Sequence, residues 1–236
     1  MALKDDLEAR VDELLTVTWD VRDGQVVPED TDVVLKDGGV NLKAVYLYAD
    51  LADSTVLARD FNRRTAARVI RSYLAVMSRL ITHHGGAIRS FDGDRVMGIF
   101  VGSSKNTSAA KCGLRMHWAF LNIVRPRVEA KFPKLKEGGY TLEHTAGIDF
   151  GDVFIVRAGI RGSNDLISIG RPPNIAAALS DRRYAPYRTY MTKDVYDNLH
   201  ESAKYSAGGE NMWRAVKATI KSRDMTLYRS NWWVAP

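Results

Sequence analysis

The sequence predicts an α+β fold, a ferredoxin-like βαββαβ core with extra strands after it. Three observations carry this. The run Val45-Tyr46-Leu47-Tyr48-Ala49 is made of β-formers and stops at Asp50. Two long stretches of helical periodicity follow, and an Asp92-Gly93 pair, the preferred dipeptide of a two-residue hairpin turn, lies between two β-like runs from Ala87 to Val101. With 236 residues, 45% of them hydrophobic, the chain can bury about 70% of its unfolded surface in one domain. No apolar stretch approaches the ~20 residues of a membrane-spanning helix.

The elements follow in order. Leu3, Leu7, Val11, Leu14 and Leu15 recur at helical spacing before a polar stretch with Gly24, Pro28 and Gly38-Gly39. Residues 1–40 therefore read as an amphipathic helix and a connecting arm, the helix packed on a main domain of residues 41–236. After the strand, Asp53-Ser54 supplies an N-cap to one helix whose buried face is Leu57, Phe61, Val69, Tyr73, Met77 and Leu80, ending at Gly85-Gly86. The hairpin puts Asp94 at or beside its tip. Ala109, Leu114, Trp118, Leu121 and Val124 mark a second helix, which Pro126 and Pro133 should interrupt. Thr141 to Val156 reads as two strands joined near Gly151-Asp152, followed by a strand near Leu166–Ile169, a short helix from about Asn174 to Asp181, and a strand pair between Trp213 and Tyr228.

Charge narrows the ligand class. The 34 basic and 28 acidic residues, net +6, favour an anionic ligand. The basic residues are spread out and lack interleaved aromatics, so nucleic acid is not expected as a partner, nor is a membrane. Acids stand at Asp5 and Asp6 where an export signal carries basic residues, which points to a cytoplasmic protein. The single Cys112 agrees, since it can form neither an intrachain disulfide nor a thiolate zinc site. His83-His84 suits a helix C-terminus better than a metal, and Trp232-Trp233 a packed plug.

Two acids stand out. Asp50 taken alone reads equally as a helix cap, and Asp94 as an ordinary turn acid. In a ferredoxin-like sheet, however, the first strand runs beside the hairpin, so the two carboxylates converge. Paired hard-oxygen ligands of this kind hold divalent ions on a triphosphate. Between Asp50 and the helix, the turn Leu51-Ala52-Asp53-Ser54-Thr55 offers free amides at the positive end of a helix dipole, where phosphates bind.

These residues resemble the catalytic domain of the class III nucleotide cyclases. Tyr48-Ala49-Asp50-Leu51-Ala52-Asp53-Ser54-Thr55 is similar to the family's first metal segment, and Ser90-Phe91-Asp92-Gly93-Asp94-Arg95-Val96-Met97-Gly98-Ile99-Phe100 to its second. Ala146-Gly147-Ile148-Asp149-Phe150-Gly151 resembles its glycine-marked strand turn, and Gly170-Arg171-Pro172-Pro173-Asn174-Ile175-Ala176-Ala177 the segment with the transition-state Asn. The four span about residues 43 to 230. Purine cyclases place a base-reading polar residue where this chain has Ser90, and another where it has Ile167. That departure makes the chain most similar to the pyrimidine cyclases of bacterial Pycsar antiphage systems, which make cyclic UMP or cyclic CMP.

The resemblance implies a catalytic domain with two divalent cations, Mg²⁺ or Mn²⁺, held by Asp50, the Leu51 carbonyl and Asp94. It implies a triphosphate bound by Ala52, Asp53, Ser54 and Thr55, with Lys221 or Arg223 as the C-terminal phosphate cation, and Asn174 orienting the ribose. Ser90 and Arg95 would face the base, and a guanidinium donor there leans toward UTP over CTP. The family's sites form between two chains, so a homodimer is implied. At the family's transition-state Arg position stands Ala178, with Arg171 or Arg182 as possible substitutes. That loss opens a second reading, a degenerate cyclase that binds nucleotide and signals by contact.

Overall fold

The computed structural model describes residues 2–236. In chain order the elements are α1 (Leu3–Leu15), β1 (Asp20–Asp23), β2 (Gly38–Leu51), α2 (Ser54–Asp60), α3 (Arg63–His83), β3 (Ala87–Asp92), β4 (Arg95–Phe100), α4 (Lys105–Ala119), α5 (Arg125–Lys131) and α6 (Lys134–Glu137). Then come β5 (His144–Ile160), β6 (Ser163–Gly170), α7 (Arg171–Ser180), β7 (Thr189–Thr192), α8 (Lys193–Asp197), α9 (Glu201–Lys204), β8 (Arg214–Ile220) and β9 (Arg223–Ser230). The main path of the sheet is β3-β4-β2-β5-β7-β9-β8. Its first four strands are mutually antiparallel, the expected ferredoxin-like core, and β7, β9 and β8 are the extra C-terminal strands.

β2 is buried on both faces, so its sequence is a continuous apolar run rather than an alternation. Val45, Leu47, Ala49 and Leu51 pack toward α3 and α4 in the main core, with Tyr73, Met77, Leu114 and Met116. Leu42, Ala44 and Tyr46 point the other way, against Val153, Ile155 and Ala176 of α7. One face thus carries two long helices. The other carries the ten residues of α7 and, from the N-terminal arm, Val27 and Val33.

Five expectations need correcting. The first helix is two: Phe61 is extended, and the Asn62 side chain accepts a 2.9 Å bond from the Arg64 amide to start α3. A good N-cap outweighs continuous periodicity. The second helix does not stop at Pro126, because a π-helical stretch over Phe120–Val124 precedes α5 and shifts the ladder where proline lacks its donor. β5 is one 17-residue strand rather than two; the turn comes at Arg161-Gly162, with Gly162 at φ 84°. Asp53 makes no side-chain cap bond and instead adopts a left-handed conformation, φ 55°. Finally, α1 buries none of its residues, and Leu3, Leu7, Val11 and Leu14 stay exposed rather than packing on the sheet. The following arm does join it: β1 pairs in parallel with the start of β2.

Gly147 and Gly151 of β5 mark approach rather than turning. A Cβ on Gly147 would lie 2.2 Å from the Ala176 carbonyl oxygen and 2.4 Å from the Ser180 amide, and one on Gly151 would meet Pro172 at 3.2 Å. Backbone contact of this closeness needs glycine and seats α7 directly on the strand. Gly147→Val should therefore lower stability by about 2 kcal/mol through overpacking, read as an earlier urea midpoint. An unchanged midpoint would show that α7 is not seated through this residue.

Candidate active site

β2 and β4 pair so that Asp50 lies opposite Arg95. Asp94 immediately precedes Arg95 in the Gly93-Asp94 turn, with Gly93 at φ 60°. Sheet register alone therefore delivers both acids to one end of the central strands. Asp50 is buried, 4% exposed, and Asp94 is half-buried. Burial and then the neighbouring Asp94 charge push the Asp50 carboxyl above the ordinary range, offset in part by guanidinium groups.

Those groups are Arg95 and Arg183. Arg95 Nε donates to Asp50 Oδ1 at 3.3 Å while its Nη2 donates to Asp181 Oδ1 at 2.7 Å. Arg183 Nη2 donates to Asp50 Oδ2 at 2.5 Å, and its Nη1 to the Ser180 carbonyl at 2.6 Å. Thr145, opposite Asp50 on β5, donates its hydroxyl to the Arg182 carbonyl at 2.8 Å and so fixes this segment. Arg183, Asp181 and Thr145 went unrecognised in the sequence. The only signal was the Arg182-Arg183 pair.

The remaining expected residues fall into three groups. Leu51, Ala52, Asp53, Ser54 and Thr55 form the turn from β2 into α2, tied by the Tyr140 hydroxyl donating to the Ala52 carbonyl at 2.9 Å and by the Ala52 amide donating to the Glu143 carbonyl at 2.8 Å. Ser90 is half-buried opposite Met97, which lies opposite Tyr48, one row along the same sheet face from Asp50 and Arg95. The third group lies elsewhere in the chain. Asn174 is exposed in the first turn of α7, where its amide donates to the Gly170 carbonyl at 2.9 Å. It is ~9 Å along the helix axis from the end that carries Asp181 and Arg183. Lys221 and Arg223 lie at the β8–β9 turn, and β9 is the third strand from β2.

Neither expected substitute for a cation at Ala178 reaches Asp50. Arg171 binds Asp149 at 3.1 Å and Asp194 at 2.6 Å, at the opposite end of α7. Arg182 lies over the Tyr184 and Tyr190 rings, 4.8 and 5.7 Å from their centroids.

The donor set suits hard divalent cations. Two carboxylates and a strand-end carbonyl supply only oxygens, and among the described residues no three His, Cys, Asp or Glu side chains gather into a cage. Mg²⁺-type ions held by one or two carboxylates complete their shells with phosphate oxygens and water. No described helix is long and apolar enough to cross a membrane.

A ferredoxin-like sheet with paired acids at the end of its first strand and hairpin defines the class of the class III nucleotide cyclase domains. The crystal structure of the adenylyl cyclase CyaB from P. aeruginosa shares the fold, with a TM-score of 0.62 at 21% identity over 81% of this chain and 95% of that one. No family model matches the chain. Its sequence is 44% identical to a uridylate cyclase of Rhodovulum sp. (strain MB263), over 100% of this chain and 99% of that one. It is 36% identical to a uridylate cyclase of Xanthomonas perforans, over 98% of each. The chain belongs to the uridylate cyclase family, and is a nucleotide cyclase.

Behind the site, His117 Nδ1 and His144 Nε2 share one hydrogen bond at 3.2 Å, with the rings stacked. His144 lies opposite Leu51 in the β2–β5 register. Burial pushes His117 down to about 4 and His144 well below 6.5, so both are neutral at pH 7. The unfolded chain takes up these protons near pH 6.5, before the folded one does. The contribution to stability is therefore complete above about pH 6.5 and is lost as pH falls toward about 4, at up to about 1.4 kcal/mol per unit for each histidine. Urea unfolding between pH 7.5 and 5 should show this loss, and a His117→Leu/His144→Leu double variant a shallower one. Equal slopes would remove the histidines as its cause.

Proposed function

We propose that the chain converts UTP to 3′,5′-cyclic UMP and pyrophosphate. What supports this reading above all is the register that brings Asp50 and Asp94 together beside the α2 turn. Full-length similarity to proteins named uridylate cyclase supports the choice of base. Asp50, Asp94 and the Leu51 carbonyl would hold two divalent ions, Mg²⁺ or Mn²⁺. When bound, these would activate the attacking ribose oxygen and neutralise the leaving phosphates. The O3′–Pα bond forms and the bond from Pα to the bridging oxygen of the β-phosphate breaks. That electron pair leaves on pyrophosphate, and the 3′-hydroxyl proton passes to water. The turn would take the phosphates on the amides of Asp53, Ser54 and Thr55; the Ala52 amide, expected to be free, is held by the Glu143 carbonyl. Ser90 and Arg95 would meet the pyrimidine edge, since neither Ser90 nor the exposed Ile167 supplies a purine contact. The role that goes with this chemistry, from the resemblance to Pycsar cyclases, is synthesis of a second messenger in cytoplasmic antiphage defence.

The separation of Asn174 from Asp50 along α7 favours a homodimer in which each site takes Asp50 and Asp94 from one chain and Asn174, with Lys221 or Arg223, from the other. A contact-signalling nucleotide binder would need no such pairing.

Incubating the purified chain with each of the four nucleoside triphosphates and Mn²⁺ should give cyclic UMP as the main product by mass, cyclic CMP as the lesser one, and almost no purine product. Cyclisation of ATP as fast as either pyrimidine would overturn the reading of the base. Asp50→Ala and Asp94→Ala should each abolish product while keeping a cooperative melt; a tenth of wild-type turnover in either would refute the metal assignment. Inactive Asp50→Ala mixed with inactive Asn174→Ala should regain activity, since one of the two sites in a mixed dimer is whole. Continued inactivity after proven subunit exchange would rule out the shared site.

A further inference from the structure

Asp50 shares its surroundings with the Asp94 charge and with two arginines. Its buried carboxylate meets two guanidinium groups, one on each oxygen. Arg95 also has Asp181 at 2.7 Å, so it keeps a partner if it lets Asp50 go. Among the described residues Arg183 has no second acid: its other bonds go to the carbonyls of Ser180 at 2.6 Å and Arg182 at 3.3 Å. Those two carbonyls tether the guanidinium without neutralising it. The tether is itself fixed, because Ser180 closes α7 against Gly147 and the Arg182 carbonyl accepts from Thr145. Arg183 can therefore turn its head but cannot leave the end of β2. Its side chain is 30% exposed, and water or a ligand can reach it.

We propose that Arg183 is a phosphate-binding catalytic residue that acts within the chain carrying Asp50, and that its ion pair with Asp50 is the resting form of the site. The inference rests on the cyclase reading above. A cation bound to Asp50 and the Arg183 guanidinium compete for the same oxygen. Once Asp50 is committed to a metal, Arg183 faces a like charge a few ångströms away and an unpaired donor fork. A triphosphate seated on the α2 turn supplies the anionic oxygens it has lost. A planar fork suits bidentate contact with a phosphate, and a donor held over Pα offsets the charge that builds as O3′ attacks and pyrophosphate leaves. Arg171 and Arg182 point away from Asp50 in this chain, onto Asp149 and Asp194 and over the Tyr184 ring. The assignment differs from that of Asn174, whose place at the far end of α7 sends it to the neighbouring chain's site.

Two measurements on Arg183→Gln test this. The first needs no turnover. Mn²⁺ titrated into the nucleotide-free protein and followed by electron paramagnetic resonance should bind Arg183→Gln at least tenfold more tightly than wild type, and Asp50→Ala not at all. Equal affinity in Arg183→Gln and wild type would overturn the competition at Asp50. The second is pairwise mixing. Arg183→Gln alone should lose about 100-fold in kcat with KM changed less than threefold. It should regain activity when mixed with Asn174→Ala, but not with Asp50→Ala, because Arg183 and Asp50 belong to the same half-site. Rescue by Asp50→Ala, or kcat above half of wild type, would overturn the proposal. If Arg183→Gln melts without cooperativity, Arg183→Lys takes its place; it keeps the charge but not the fork and should fall between the two. The Asp50→Ala with Asn174→Ala control separates the cases. If that control fails, the shared-site reading falls, and the Mn²⁺ affinities alone decide this inference.

Discussion

A carboxylate placed at the end of a central, buried strand constrains everything around it. Asp50 belongs to a strand with both faces covered, where an isolated charge is costly unless it is paired. The fold meets that cost from three directions. β4 brings Arg95 through strand register, the end of α7 brings Arg183, and Thr145 on β5 fixes the backbone from which Arg183 reaches. Without a ligand the pairings hold the strand ends together. On the proposed reading they are also groups that a metal–triphosphate would exchange for its own, which would make the neutralisation reversible. Structural and chemical demands fall on the same atoms.

Much of the fold was legible because it follows from local rules. The run from Val45 to Ala49 read as a strand from its β-formers, and Asp92-Gly93 fixed the hairpin to within a residue. Where local signals conflicted, tertiary packing decided. Gly151 reads as a turn in isolation, yet it sits mid-strand because Pro172 presses on it from α7. Pro126 reads as a terminator, yet a wider helical turn before it removes the need for its missing donor. Asn62 was the one readable signal overlooked, an N-cap inside an otherwise unbroken pattern. The apolar stripe on α1 was correctly seen as helical, but its periodicity carried no information about a partner, and the sheet domain does not cover it.

The site divides in the same way. Asp50 and Asp94 could be placed together from sequence because antiparallel register is a short-range consequence of the hairpin. Arg183 could not. It stands 133 residues from Asp50, and its position depends on the angle at which α7 crosses β5, which two small residues set by close approach. Arg171 and Arg182 were equally plausible by composition. Only the direction of the chain leaving α7 separates a guanidinium that stacks on tyrosines from its neighbour that reaches a carboxylate.

α7 is also a beam. With the turn that follows it, it runs from Arg171, anchored on Asp149 and Asp194, to Arg183, anchored on Asp50, and rests on β5 with no side chain beneath it at Gly147. Close-packed contacts of this kind transmit displacement instead of absorbing it. A tilt that serves the end bearing Asn174 must move the end bearing Asp181 and Arg183 in the opposite sense. On the proposed reading, in which Asn174 and Arg183 serve different sites, the two ends would not be occupied independently, and the short helix would couple events about one helix length apart.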